Sequence, residues 1–191
     1  MENISISSER SRVFLVGVLI GTLLYSALFF FNDWLTETVK YDLGVSWIYL
    51  PAGLRLFLIL IFGLSGAIGI AAASFAISYF WAFPADLVTC IGIGLISGFA
   101  PLLAKWVVVS NIPINNDLSN LSLQKIIFCV VVYALMSAGL HQYWFVLRGL
   151  ESGSLDHFLV MFVGDIAGSI LLIALIKYSI DLVKRSKPKR D

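Results

Sequence analysis

Residues 158–176 read FLVMFVGDIAGSILLIALI. A helix needs about 20 predominantly apolar residues to cross the hydrocarbon core of a bilayer, and this run meets that length. A single carboxylate, Asp165, interrupts it. The rest of the chain has the same texture. Of 191 residues, 59% are hydrophobic and 13% charged, whereas soluble domains carry about a quarter charged residues. A soluble fold of this length has too little interior to hide so much apolar surface. The sequence therefore predicts an all-α, polytopic integral membrane helix bundle.

Six spans are predicted, at 13–32, 47–63, 65–82, 87–109, 125–148 and 157–182. They leave an N-terminal segment 1–12, a six-span domain 13–182 and a basic tail 183–191. The second and third spans are separated only by FGLSG, which permits a tight hairpin or one broken segment. The first run is read as a retained span and not a removed signal peptide. Orientation follows from the cations. Arg10, Arg12, Lys105, Lys125, Lys177, Lys184, Arg185, Lys187, Lys189 and Arg190 share one side, and only Lys40 and Arg148 lie opposite. The positive-inside rule then puts both termini in the cytoplasm of a plasma (inner) membrane. Trp34, Trp47, Tyr49, Trp81, Tyr143 and Trp144 fall near the outer boundary, where amphipathic rings prefer to sit.

Between the spans, NDWLTETVKYDLGVS (32–46) is mildly acidic and is expected to hold a short interfacial helix. SNIPINNDLSNLS (110–122) is rich in turn formers. Gly17 with Gly21, Gly94 with Gly98, and Gly164 with Gly168 form small-xxx-small pairs that let membrane helices approach closely. Ser65, Gly69 and Ala73 continue the pattern in the third span. Packing within the bundle is the simpler reading of these stripes than a dimer face. Cys90 and Cys129 read as small packing residues.

Charges inside spans are costly and usually face a partner or a water-filled cavity. Arg55 and Asp165 are the two clear cases, and His141 is a third candidate. Lys105 and Lys177 lie near span ends, where they can snorkel. Counting each span as continuous helix puts Arg55, Asp165 and His141 roughly 12 Å below the outer edge. Three uses remain open for them: a buried ion pair, a proton relay, or a polar pocket for a small-molecule ligand with Ser137, Gln142 and Tyr49 nearby. Pro51 and Gly53 distort or loosen the start of the second span just above Arg55. A thiol enzyme built on Cys90 and His141 is disfavoured, because their depths differ by roughly 7 Å. No metal site, cofactor or nucleic-acid partner is indicated.

Two stretches carry a family resemblance. SWIYLPAGLRLFLILIFGLSGAIGIAAASF (46–75) resembles the tryptophan–proline–alanine–glycine region of MASE1-type membrane sensor domains. FLVMFVGDIAGSILLIALI (158–176) resembles the glycine–aspartate–x-x-glycine motif of their last helix. The matching positions are Pro51, Ala52, Gly53, Gly164, Asp165 and Gly168. The resemblance implies a sensory membrane domain, in a family that usually carries a kinase, cyclase or phosphodiesterase output. Arg55 departs from the apolar residue expected there, six spans replace about eight, and no output domain follows Lys184. The expectation is a non-enzymatic module acting through a separate cytoplasmic or membrane partner. The competing expectation comes from size and topology, which resemble the substrate-binding subunits of energy-coupling-factor transporters.

Overall fold

The computed structural model describes residues 2–42, 45–111 and 123–186. Most of the turn-rich loop, from residue 112 to 122, and the basic tail beyond Ser186 lie outside the described residues. Six helices are present among them: α1 (Glu2–Leu35), α2 (Leu50–Phe62), α3 (Leu64–Ile77), α4 (Leu87–Asn111), α5 (Leu123–Leu147) and α6 (Leu155–Ser186). Five are long and apolar enough to cross a membrane, α3 with its continuation to Ala82. Large side chains such as Leu19, Leu95 and Leu135 point outward, giving the broad apolar exterior that marks a membrane-facing surface.

α2 is the exception. Its 13 residues span about 20 Å, and the residues before it are not helical. Pro51 stands in its first turn, and Gly63 ends it at φ +57°, ψ −124°. Only glycine takes that conformation without strain. Both ends of α2 are satisfied from neighbouring helices. Asn32 Oδ1 on α1 accepts the Leu50 N–H at 2.9 Å, and Lys105 Nζ on α4 donates to the Ile59 carbonyl at 3.2 Å. Lys105 therefore turns inward instead of snorkelling. The C-terminal carbonyls of a short helix ending inside the bundle attract a cation there.

The glycine pairs all pack within the molecule. Gly17 and Gly21 lie against Ser65, Gly66 and Gly69 of α3, and Gly94 and Gly98 against Ala67, Ala71 and Phe75 on the same helix. α3 is thus held closely between α1 and α4. Gly164 and Gly168 face no helix flank, only the start of α2 at Leu50 and the chain before it. They face the extended backbone of residues 46–49, and the Tyr49 N–H donates to the Gly164 carbonyl at 3.1 Å. Two buried clusters flank α2. Tyr25, Leu58, Ile59 and Ile70 form one, and Ala52, Leu56, Val108, Cys129 and Tyr133 the other. Cys90 and Cys129 are both free and buried.

The expected interfacial helix after α1 is replaced by a single 3₁₀ turn (Glu37–Val39) and a small antiparallel hairpin, β1 (Lys40–Asp42) and β2 (Val45–Ser46). His157 Nε2 on α6 pins it, 2.8 Å from Asp42 Oδ2. We call this the hairpin end of the bundle. α3 finishes there in a π turn (Ser78–Ala82), with the Phe83 N–H donating to Ser78 O at 2.7 Å. Such turns recur at functional sites.

At the same end, α4 and α5 are tied through Asp86. Its carboxylate accepts the Thr89 hydroxyl at 2.6 Å and the Thr89 N–H at 3.1 Å, and Arg148 Nη2 approaches to 3.2 Å. Hydrogen bonds from Thr89, and then the Arg148 charge, hold the Asp86 carboxyl below its ordinary value of 3.8. A depressed folded-state value means the tie is intact above the ordinary carboxylate range and is lost as pH falls through the lowered value. Spin labels at Leu87 and Leu147 are expected to report one short distance at neutral pH and a broadened one in strong acid. Asp86→Asn is expected to flatten that pH response.

Candidate functional site

From Leu155 to the Gly168 level, α6 descends 13 residues, about 20 Å. The Tyr49 carbonyl meets Gly168, so the chain travels that distance from the hairpin end before α2 begins. Backbone without its own hydrogen-bond ladder is tolerated at membrane depth only when packed in protein or lining a water-filled cavity. The stretch from β2 to Tyr49, which leaves its ladder with β1 after Ser46, does both. One side lies on Gly164 and Gly168, and on the other Val45, Ser46 and Tyr49 line a cavity of about 320 Å³.

The mouth of this cavity lies between the hairpin and the π turn, where Tyr41, Asp42 and Trp81 are exposed. Its walls include Phe29, Ile77, Ile93 and Phe145, and its inner end is polar, formed by Tyr25, Tyr49, Arg55, Ser74, Ser97 and His141. Arg55 Nη2 donates to the hydroxyls of Tyr25 and Tyr49, the latter at 3.1 Å, and the two hydroxyls are 2.9 Å apart. Its guanidinium also lies near both rings, 5.0 and 5.2 Å from their centroids, within cation–π range. Tyr49 is therefore an inner-cavity residue, in contrast to the boundary ring the sequence suggests. Trp34, Trp47, Trp81 and Tyr143 do lie exposed.

His141 closes the opposite side of the inner end. Its Nδ1 lies 2.8 Å from the Ser137 carbonyl, which can only accept, so Nδ1 carries the proton. Nε2 lies 3.3 Å from Ser97 Oγ, which accepts from Ser74 Oγ at 2.8 Å. A hydroxyl chain thus joins α3, α4 and α5 along the wall.

The common level inferred from residue counting does not hold for the backbones. A Cβ on Gly53 would meet Ser169 and Leu172, which puts the Arg55 Cα roughly two helical turns deeper than Asp165. The count fails because residues 47–49 are extended. The Arg55 side chain recovers part of the offset, since helical side chains lean toward the helix N-terminus. Even so, Arg55 and Asp165 form no ion pair. Direct ion pairs such as Lys40–Asp33 at 2.6 Å and Arg148–Asp86 occur at the hairpin end.

Asp165 does not line the cavity. It lies 1% exposed behind Arg55, in the interface of α2, α5 and α6, within electrostatic reach of Arg55 and Tyr133. Seven buried polar atoms here fall outside good hydrogen-bond geometry among the described residues: Arg55 Nε and Nη1, Tyr133 OH, Ser137 Oγ, both Asp165 oxygens and Ser169 Oγ. Ser137 nonetheless lies close enough to Asp165 and Tyr133, and Arg55 to Tyr133, to interact with them. Together they make a buried polar cluster and not ordinary apolar core. Arg55 lines the cavity on one side and joins this cluster on the other.

Pro51, Ala52 and Gly53 do not touch the cavity. They are buried in the first turn of α2, and Gly53 lies against α6 below Gly168. Of the polar residues suggested around the pocket, Tyr49 lines it and Ser137 and Gln142 do not. Gln142 instead accepts the Ser154 N–H at 3.2 Å. Cys90 also lies outside the lining, its thiol 3.5 Å from the Phe83 carbonyl. Tyr25, Asn32, Ser74 and Ser97 were not singled out by sequence. A polar side chain, hydroxyl or carboxamide, in an apolar span is their only signal, and residues that merely pack share it.

No family model, curated protein or solved structure matches the chain. Its class rests on its own composition and helices, which are those of a helical membrane protein.

Proposed function

We propose that the chain is a multi-pass inner-membrane sensory module that takes a small ligand into the cavity and acts through a separate partner. The observation that carries this reading is the non-helical segment 45–49, which lines the cavity instead of being buried as helix. α2 and this segment together make the second of six crossings, and both termini are cytoplasmic. The bias of Lys and Arg toward one side supports that orientation, with the hairpin end outside.

Arg55 supplies the route inward. A ligand bound at the cavity end of its guanidinium alters its share with Asp165 on α6, and α6 runs on to Ser186. A ligand shifts such an equilibrium only by its differential affinity for the two arrangements. The MASE1-like positions support the reading as well. Gly164 and Gly168 seat the extended segment on α6, and Gly53 lets the start of α2 lie against Ser169 and Leu172 just below, so the two motifs serve adjacent parts of one packing surface.

The second reading is a transporter component of the energy-coupling-factor type. It is favoured by the interrupted helix itself, since discontinuous spans shape many transporter sites. Affinity purification of the tagged chain from gently solubilised native membranes separates the two. Co-purification of a kinase, cyclase or other regulator supports sensing. Co-purification of a membrane subunit with an ATPase supports transport instead.

A further inference from the structure

We infer that the cavity selects a small anionic amphiphile, a carboxylate or similar oxyanion on an apolar or aromatic body, with its head held by the hydroxyls of Tyr25 and Tyr49 and by the charge of Arg55 behind them. The inference rests on the cavity being a ligand site, as proposed above, and adds the class of ligand.

The charges at the mouth are paired among protein groups, Asp33 with Lys40 and Asp42 with His157. Deeper in, Arg55 is the only charged residue among those that line the cavity. Both ring nitrogens of His141 are already engaged by protein groups, Nδ1 by the Ser137 carbonyl and Nε2 by Ser97 Oγ, so it adds no free donor to the head site. Asp165 offsets the guanidinium from the far side but lies outside the cavity lining, so it does not meet a ligand head.

The hydrogen bonding has a direction. Both tyrosine oxygens accept from Arg55 Nη2, and one hydroxyl donates to the other. One tyrosine O–H therefore remains to donate to a third acceptor. A cation-polarised hydroxyl is a strong donor to an anionic oxygen, whereas the Arg55 charge beside it repels an ammonium group. The walls of phenylalanine, isoleucine and methionine ask for an apolar body. The volume, about 320 Å³, is at the small end for ligand pockets.

The test uses the full chain in lipid nanodiscs, with thermal unfolding followed against a matched panel. 3-Phenylpropionate and short-chain fatty acids form the anionic arm, the corresponding amides the neutral arm, and the corresponding amines the cationic arm. At saturating carboxylate, the midpoint is expected to rise by about 3 °C, with no rise for amides or amines. Arg55→Lys, which keeps the charge, is expected to retain part of the response. The double variant Tyr25→Phe, Tyr49→Phe is expected to lose it. Amides or amines raising the midpoint as much as carboxylates would overturn the anionic class while leaving ligand binding in the cavity standing. A carboxylate response unchanged in the double tyrosine variant would place binding elsewhere and overturn the inference. No response from any arm would overturn it together with the class of small ligands tested, and labelling from outside, independent of any ligand, then decides whether the cavity itself is open.

Discussion

Gly168→Ala is expected to remove most of the folded protein from the membrane, whereas Gly139→Ala leaves its level unchanged. A Cβ at position 168 would run into the Tyr49 carbonyl and the Leu50 nitrogen. These are backbone atoms fixed by two hydrogen bonds, Tyr49 N–H to Gly164 O and Leu50 N–H to Asn32 Oδ1. They cannot step aside as a flexible side chain would. Overpacking of a tight interface costs about 1–3 kcal/mol and occasionally more, and this case adds the strain on a helix start. That is a large part of the stability of an ordinary domain, about 5–15 kcal/mol. Gly139 is also helical, but the nearest atom to its Cβ would be Phe158 Cε2 at 4.0 Å. Thermal stability of the two purified variants, compared with membrane abundance, checks the difference. Equal behaviour would mean the extended segment is not seated on α6.

Arg55→Leu is expected to be the more damaging single change at the site, and Arg55→Leu with Asp165→Leu to be better folded than Arg55→Leu alone. Removing one member of a buried charge pair leaves the other uncompensated, at a cost of about 3–5 kcal/mol, whereas replacing both by apolar residues is often neutral. The distance between the two groups tempers the rescue, because Arg55 also loses its bonds to Tyr25 and Tyr49. A double-mutant cycle on unfolding free energy isolates the coupling. Additive losses would show that Arg55 and Asp165 are independent, and that Asp165 belongs to α6 packing only. Recovered folding without a carboxylate response is the pattern expected if Arg55 also serves the ligand site.

Much of the architecture was legible in the chain because membrane solvent imposes simple rules. Long apolar runs marked the five helices of spanning length, and the glycine pairs marked where α1, α3 and α4 approach. The second span was legible only as apolar. Trp47, Ile48 and Tyr49 fit a helix in hydropathy, and nothing in their composition shows that Gly164 and Gly168 offer them a groove instead. That one local difference displaced Arg55 from the level of Asp165 and moved Tyr49 from the boundary to the inner cavity. It also created the space that the hydroxyls of Tyr25, Ser74 and Ser97 line. The charged residues could be chosen from sequence because a charge inside a span is conspicuous. The hydroxyls could not, because serine and tyrosine also serve packing, and only the close approach of α3, α4 and α5 makes the Ser74–Ser97–His141 chain.

A water-accessible cavity is expected to reach from the hairpin end to Arg55 beside the unwound segment. Cysteine labelling in intact cells tests it most directly, in a background of Cys90→Ala and Cys129→Ala, with a membrane-impermeant thiosulfonate added outside. Ser97→Cys, buried next to His141 at the inner end, is predicted to label rapidly, as does the exposed control Trp34→Cys. Leu95→Cys on the apolar exterior is predicted to stay unlabelled. Labelling of Trp34→Cys without labelling of Ser97→Cys would mean that the inner end is closed to water and that no cavity opens at the hairpin end.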